Sequence, residues 1–214
     1  KPITVRHLRE IYFELISESA HNINLVNPTH FTEAVLESLD AGLPVPVVWN
    51  SGGYDSVPAL RRLDGKIQIY LPDMKYALPD PAARYSKAPA YPETAKAAIL
   101  EMFRQTGPYR MGEDGLLKSG VVIRHLILPE NLENTYRVID WVSKMFSPGD
   151  VLFSLMSQYT PCGDLSAFPE LGRRLTQAEY DAAVGYLEDS GIKDGFYQEL
   201  SSAKDEYIPE FDLR

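Results

Sequence analysis

Ile67-Gln68-Ile69-Tyr70-Leu71-Pro72-Asp73-Met74-Lys75-Tyr76 is the stretch that decides how this chain is read. Its first five residues are almost continuously apolar or aromatic, the pattern of a strand covered on both faces, as parallel strands flanked by helices are. Pro72 has no N–H to donate and ends the ladder. Asp73 and Lys75 follow with one residue between them, so in extended chain both side chains leave the same face. Opposite charges held just past the carboxyl end of a buried strand stand where α/β proteins place their ligands. Taken alone, the pair also reads as a salt bridge on a loop rim. The ligand reading gains weight because other strands end in the same way.

Upstream, Thr4 suits the N-cap of a helix running to about Ala20, with Val5, Leu8, Ile11, Tyr12, Leu15 and Ile16 on one face. A short strand over residues 23–27 ends in Pro28-Thr29-His30, and a helix from Phe31 to Ala41 is closed by Gly42. The Val-rich run 44–50 is a further strand, ending in Asn50-Ser51-Gly52-Gly53. Asp55 is placed to cap a helix reaching Leu63, and Asp64-Gly65 turns the chain into the strand quoted above.

Downstream, the proline-punctuated connection from Ala77 to Pro92 holds a short helix at Ala82–Ser86. A helix over Glu93–Thr106 and a polar loop lead to the apolar strand 121–128. Arg124 and His125 sit in the middle of that strand, where an unpaired charge is costly, so at least one must meet a polar site or a carboxylate. Being adjacent, they point to opposite faces, which leaves His125 the satisfied core histidine if Arg124 faces the site. A helix over Leu132–Phe146, a strand over 151–156 ending in Ser157-Gln158, a loop with Cys162 and a helix from Thr176 to Asp189 complete the regular part. Thr176 and Glu179 have the spacing of a capping box. The tail from Gly195 to Arg214 mixes aromatics with charge and is expected to pack across the outside.

The pattern of strand, polar end and helix gives an α/β fold of five parallel βα units curling into part of a TIM-type barrel, within one domain spanning residues 1–214. The polar strand ends then converge on one rim: Thr29, His30, Asn50, Ser51, Gly52, Asp73, Lys75, Arg124 and Gln158. Gly52 and Gly53 would let backbone N–H groups approach a ligand, although taken alone the pair reads better as a plain tight turn.

With 44% hydrophobic residues in 214, the chain can bury one substantial core. A net charge of −9 argues against nucleic acid or an anionic membrane as the main partner. No apolar run is long enough to span a bilayer and residues 1–10 hold no signal-peptide core, so a cytoplasmic setting is expected. One cysteine, Cys162, allows no internal disulfide and cannot alone hold zinc or an iron–sulfur cluster, and its position suits an inert loop thiol.

The ordered strand ends, residues 21–30, 45–56, 69–77, 121–129 and 155–164, together resemble the radical S-adenosylmethionine (SAM) superfamily, in particular its relatives of pyruvate formate-lyase activating enzyme. The resemblance covers nearly the whole chain and implies a partial barrel of six βα units. It implies two cofactors at the open carboxyl end, SAM and a [4Fe-4S] cluster that reductively splits it to a 5′-deoxyadenosyl radical for hydrogen abstraction. It also implies, as partners, a protein substrate such as a glycyl-radical enzyme and a reductant such as flavodoxin. Asp73 and Lys75 match the Asp-x-Lys motif of the SAM site, Asn50, Ser51 and Gly52 fall where the family contacts ribose or methionine, and Arg124 falls where a strand residue approaches the SAM carboxylate.

Three departures accompany the likeness. Asn27-Pro28-Thr29-His30 stands where the family has a Gly-Gly-Glu run, so Thr29 and His30 are candidates by position alone. Gln158 replaces the histidine of activating enzymes. The three-cysteine cluster motif is absent, and the resemblance places it, with the first βα unit, upstream of Lys1. Two alternatives stay open: a non-catalytic protein-interaction domain, and a metal-dependent barrel lyase or isomerase using Asp73 and His30.

Overall fold

The computed structural model describes residues 2–198. Seven strands, β1 (Ile23–Val26), β2 (Val47–Ser51), β3 (Ile69–Pro72), β4 (Arg110–Met111), β5 (Leu117–Leu126), β6 (Leu152–Met156) and β7 (Gly195–Tyr197), form one sheet. The helices are α1 (Val5–Ser17), α2 (Thr32–Ser38), α3 (Val57–Arg62), α4 (Pro79–Ser86), α5 (Tyr91–Thr106), α6 (Leu132–Met145) and α7 (Gln177–Asp189). The strand order is β1-β2-β3-β5-β6-β7, every neighbouring pair is parallel, and β4 adds antiparallel to β5. The sheet does not close, which makes this the partial barrel expected from the sequence.

Strand periodicity divides the sheet into two faces. Trp49, Tyr70, Ile123 and Phe153 are each no more than 1% exposed and pack with Ala95, Ile99, Met102 and Ile139 in one core against the helices. A large apolar side chain withdrawn this far contributes roughly 1.5–3 kcal/mol, so this layer holds the fold. The alternate residues belong to the other, inner face, where the register sets Asn50 beside Leu71 and Arg124 beside Ser154.

Local signals act as their chemistry requires. Thr4 caps α1 by accepting from the His7 N–H, and Thr176 and Glu179 form the reciprocal capping box of α7. Asp55 does not cap α3. Ser56 does, accepting from the Ala59 N–H, because the Asp55 carboxylate is engaged elsewhere.

The sheet holds six parallel strands rather than five. The sixth, β7, lies in the stretch expected to pack outside, and instead extends the sheet beside β6. A Cβ on Gly195 would fall 2.0 Å from the Phe153 carbonyl oxygen, so the close approach depends on a glycine. Three residues carry too little periodicity to announce a strand. The remainder of that tail, residues 199–214, lies outside the described residues. The polar loop before β5 likewise contributes β4, and β5 begins at Leu117, before the apolar run. No described helix is long and apolar enough to cross a membrane.

Candidate functional site

Asp73 directly follows β3 and continues its pairing by a single parallel bridge to Arg124. Its Oδ1 lies 2.8 Å from Arg124 Nη2 and its Oδ2 accepts from Lys75 Nζ at 2.8 Å. Arg124 Nη2 also donates to Asn50 Oδ1 at 2.7 Å, so β2, β3 and β5 each send one member into a continuous polar cluster. The side chains of Asp73 and Arg124 are 17% and 24% exposed, against 48% for Lys75. The first two are therefore held in a partly desolvated ion pair and Lys75 is the reachable member. Arg124 Nε is buried with no hydrogen-bond partner. Two cations meet one carboxylate here, leaving one positive charge and an unused donor.

The loop after β2 is braced from below. Ser51, 1% exposed, donates from Oγ to Asp55 Oδ2 at 2.5 Å and accepts from the Gly53 N–H at 3.2 Å. Thr29 donates to the other Asp55 oxygen at 2.7 Å. Thr29 and Ser51 thus each give one hydrogen bond to a separate oxygen of a buried carboxylate. Gly52 lies against the Lys75 stem, with its Cβ position 3.7 Å from Lys75 Cε. Gly53 has φ +76°, and a Cβ there would stand 2.0 Å from the Asp73 carbonyl oxygen. The glycine brings the two loops into contact.

Tyr91, at the start of α5, ties those loops together. Its hydroxyl accepts from the Lys75 N–H at 3.0 Å and reaches the Gly52 and Asp73 carbonyls at 2.8 and 2.7 Å, one phenolic proton serving two acceptors. Burial pushes the phenol well above its ordinary range, so it stays protonated. Half-exposed Tyr54 stacks on the ring at 5.6 Å and 16°. Sequence reasoning missed Tyr91 and misassigned Asp55. Neither carries a spacing signal, since Tyr91 falls sixteen residues past Lys75 in a proline-rich connection and Asp55 looks like any helix cap.

The remaining candidates stand apart. His30 is exposed in the 3-10 turn Pro28–Phe31, and Gln158, beyond β6, points its Nε2 at Met156 Sδ 3.8 Å away, with its Oε1 buried and unpaired. Neither is bonded to the Asp73 cluster. His125 is on the helix side as expected, 1% exposed, with Nδ1 2.7 Å from the Met74 carbonyl and Nε2 3.0 Å from Thr135 Oγ1. A carbonyl only accepts, so Nδ1 carries the proton and Nε2 accepts from Thr135. Burial pushes His125 down to about 4.

A [4Fe-4S] cluster needs thiolates or equivalent ligands grouped in space. Among the described residues no three of His, Cys, Asp or Glu stand together as a metal site, and Cys162 is exposed. The described residues therefore do not fit a cluster. They do fit an amino-acid moiety, whose ammonium needs a carboxylate and whose carboxylate needs cations.

The fold and the rim define an open α/β half-barrel with an ionic cluster at the carboxyl ends of its central strands. No family model matches the sequence. The chain is similar to an uncharacterized protein of Methanocaldococcus jannaschii, MJ0674, with 30% identity over 172 residues, or 78% of this chain and 46% of that protein. The chain thus spans about half the length of this curated relative. Among solved structures, a domain of pyruvate-formate lyase-activating enzyme from Bacteroides vulgatus has a TM-score of 0.57 at 11% identity, over 83% of this chain and 98% of that domain. At such low identity the likeness is one of fold.

Proposed function

We propose that the rim formed by Asn50, Asp73, Lys75 and Arg124 binds the amino-acid moiety of SAM, and that the chain is the core of a radical SAM enzyme. The observation that carries the reading is the position of Asp73, just past the end of β3 and bonded at once to Lys75 and to Arg124 of the adjacent parallel strand β5. An ammonium group would take a share of the Asp73 carboxylate, and a ligand carboxylate would balance the surplus cation through Lys75, the exposed member of the cluster. The half-barrel shared with the activating-enzyme domain supports the same assignment at the level of fold.

Bound here, SAM would supply the adenosyl group for hydrogen abstraction. The chain's own residues orient its amino-acid end: Lys75 is exposed enough to swing onto a ligand carboxylate, and Asn50 fixes Arg124 from the neighbouring strand. The cluster that delivers the electron in such enzymes has no ligand set among the described residues, and no step is assigned to it. Activation of a glycyl-radical protein is the narrower form of the proposal.

Calorimetric titration of the protein with SAM tests the reading. Wild type is expected to bind, and Asp73→Asn and Lys75→Met each to weaken binding tenfold or more, about 1.4 kcal/mol. Equal affinity in all three, or heat from adenosine alone without methionine dependence, overturns it.

A further inference from the structure

Between Asp73 and the start of α4 at Pro79 the chain forms neither helix nor sheet, yet Met74 and Tyr76 are buried. Buried backbone without a ladder must find other partners for its N–H and C=O groups. Here the partners are side chains. The Asp73 carbonyl and the Lys75 N–H meet the Tyr91 hydroxyl of α5, and the Met74 carbonyl accepts from His125 Nδ1. The Lys75 carbonyl accepts from Asn134 Nδ2 at 3.0 Å, while Asn134 Oδ1 accepts from the Ala77 and Leu78 N–H groups at 2.9 and 3.3 Å. Two N–H donors require the amide oxygen and a carbonyl requires the amide nitrogen, so these partners settle which way the Asn134 side chain is turned.

Asn134 and Thr135 lie in the first turn of α6, both buried. They precede Val138 and Ile139 by one turn, on the stripe that carries α6 into the core, where packing alone would take apolar side chains. A polar residue at such a position is tolerated only when it is bonded. These neighbours serve one segment. Asn134 holds it directly, and Thr135 donates to His125 Nε2, which leaves Nδ1 as the donor facing Met74.

The consequence falls on Lys75. Its side chain is half-exposed, but its N–H is held from α5 and its carbonyl from α6. The reachable ammonium is therefore mounted on backbone that two helices fix before any ligand arrives. A cation set in place beforehand avoids the ordering cost that a mobile one meets on binding.

We propose that Asn134 is a positioning residue for Lys75, with His125 and Thr135 holding the preceding residue in support. It touches no ligand and acts through the Lys75 backbone. The proposal rests on the reading of the rim as a receptor for an amino-acid moiety, and adds to it a residue of a helix outside the rim.

A double-mutant cycle read by calorimetric titration with SAM tests it. Asn134→Ala is expected to weaken SAM binding about tenfold in the wild-type background and by less than about twofold in a Lys75→Met background, where the residue through which it acts is gone. Val142→Ala opens a cavity two turns further along the same helix and should leave affinity within about twofold, which separates position from stability. A full loss in both backgrounds, no loss in wild type, or an equal loss in Val142→Ala overturns the proposal. A second readout needs no ligand: in Asn134→Ala the Ala77 and Leu78 amides should exchange at least about tenfold faster while amides of β6 keep their rates. Should wild type bind no SAM, the reading of the rim fails and the exchange decides the hold on Lys75 by itself, a selective loss of protection upholding it and unchanged Ala77 and Leu78 rates overturning it.

Discussion

Asp73 and Arg124 meet three residues beyond the last regular β3–β5 ladder pair, Tyr70 beside Val121, with Oδ1 2.8 Å from Nη2 and neither side chain more than a quarter exposed. Removing one partner of such a pair leaves the other charge poorly solvated. Asp73→Ala should therefore lower stability by about 2–3 kcal/mol, more than an exposed ion pair is worth. Urea midpoints check this. A loss within a few tenths of a kcal/mol would mean that Asn50 and solvent suffice for Arg124.

Gly53 allows the β2 and β3 loops to touch. Gly53→Ala imposes a left-handed backbone on a residue with a Cβ and drives that Cβ into the Asp73 carbonyl. The expected cost is at least about 1–3 kcal/mol, with weakened SAM binding because Lys75 moves with Asp73. Gly42, also at positive φ but with open space around its Cβ position, provides the comparison: Gly42→Ala should cost less. Equal losses would remove the special role of Gly53.

Tyr91→Phe keeps the ring that packs against Tyr54 and Tyr76 and deletes the hydroxyl shared by Gly52, Asp73 and Lys75. Leaving the Lys75 N–H and the two carbonyls short of a partner should cost about 1–3 kcal/mol by chemical denaturation. A neutral substitution would show that water takes the place of the hydroxyl.

His125 gives a pH signature. Its folded pKa of about 4 lies below the ordinary 6.5, so as pH falls the unfolded chain takes up the proton first. Its contribution is complete above about pH 6.5, declines between 6.5 and 4, and amounts to about 3 kcal/mol across that window. The stability difference between wild type and His125→Gln should shrink over the same interval as pH is lowered. Parallel curves would show that His125 does not titrate there.

Where the sequence could be read and where it could not follows from the range of the interactions. Alternation and apolar runs are local, so β3, the body of β5 and the apolar face of α1 were recognisable, although β3 runs from Ile69 through Pro72 and its pairing continues at Asp73 instead of ending before the proline. The Asp73–Lys75 contact spans two positions and was visible as spacing. The division of Arg124 from His125 followed from adjacency, and the structure places Arg124 on Asp73 and His125 between Met74 and Thr135. Asp55 and Tyr91 escaped because their partners, Thr29 and Ser51 for one and Gly52 and Asp73 for the other, are set by how loops stack in space. β7 escaped because three residues beside Phe153 are defined by their neighbour more than by their own pattern.

In the proposed function, Asn50, Asp73, Lys75 and Arg124 act as one receptor for the amino-acid end of SAM. Nuclear magnetic resonance of isotope-labelled protein during SAM titration tests it most directly, following the Arg124 Nε–H, the Asn50 side-chain amide and the backbone amides of residues 50–53 and 73–75. Saturable shifts centred on these groups are expected, with methionine reproducing the Arg124 Nε–H change and adenosine not. Shifts that are absent, or that fall on His30 and Gln158 while the Asp73 cluster stays silent, would contradict it.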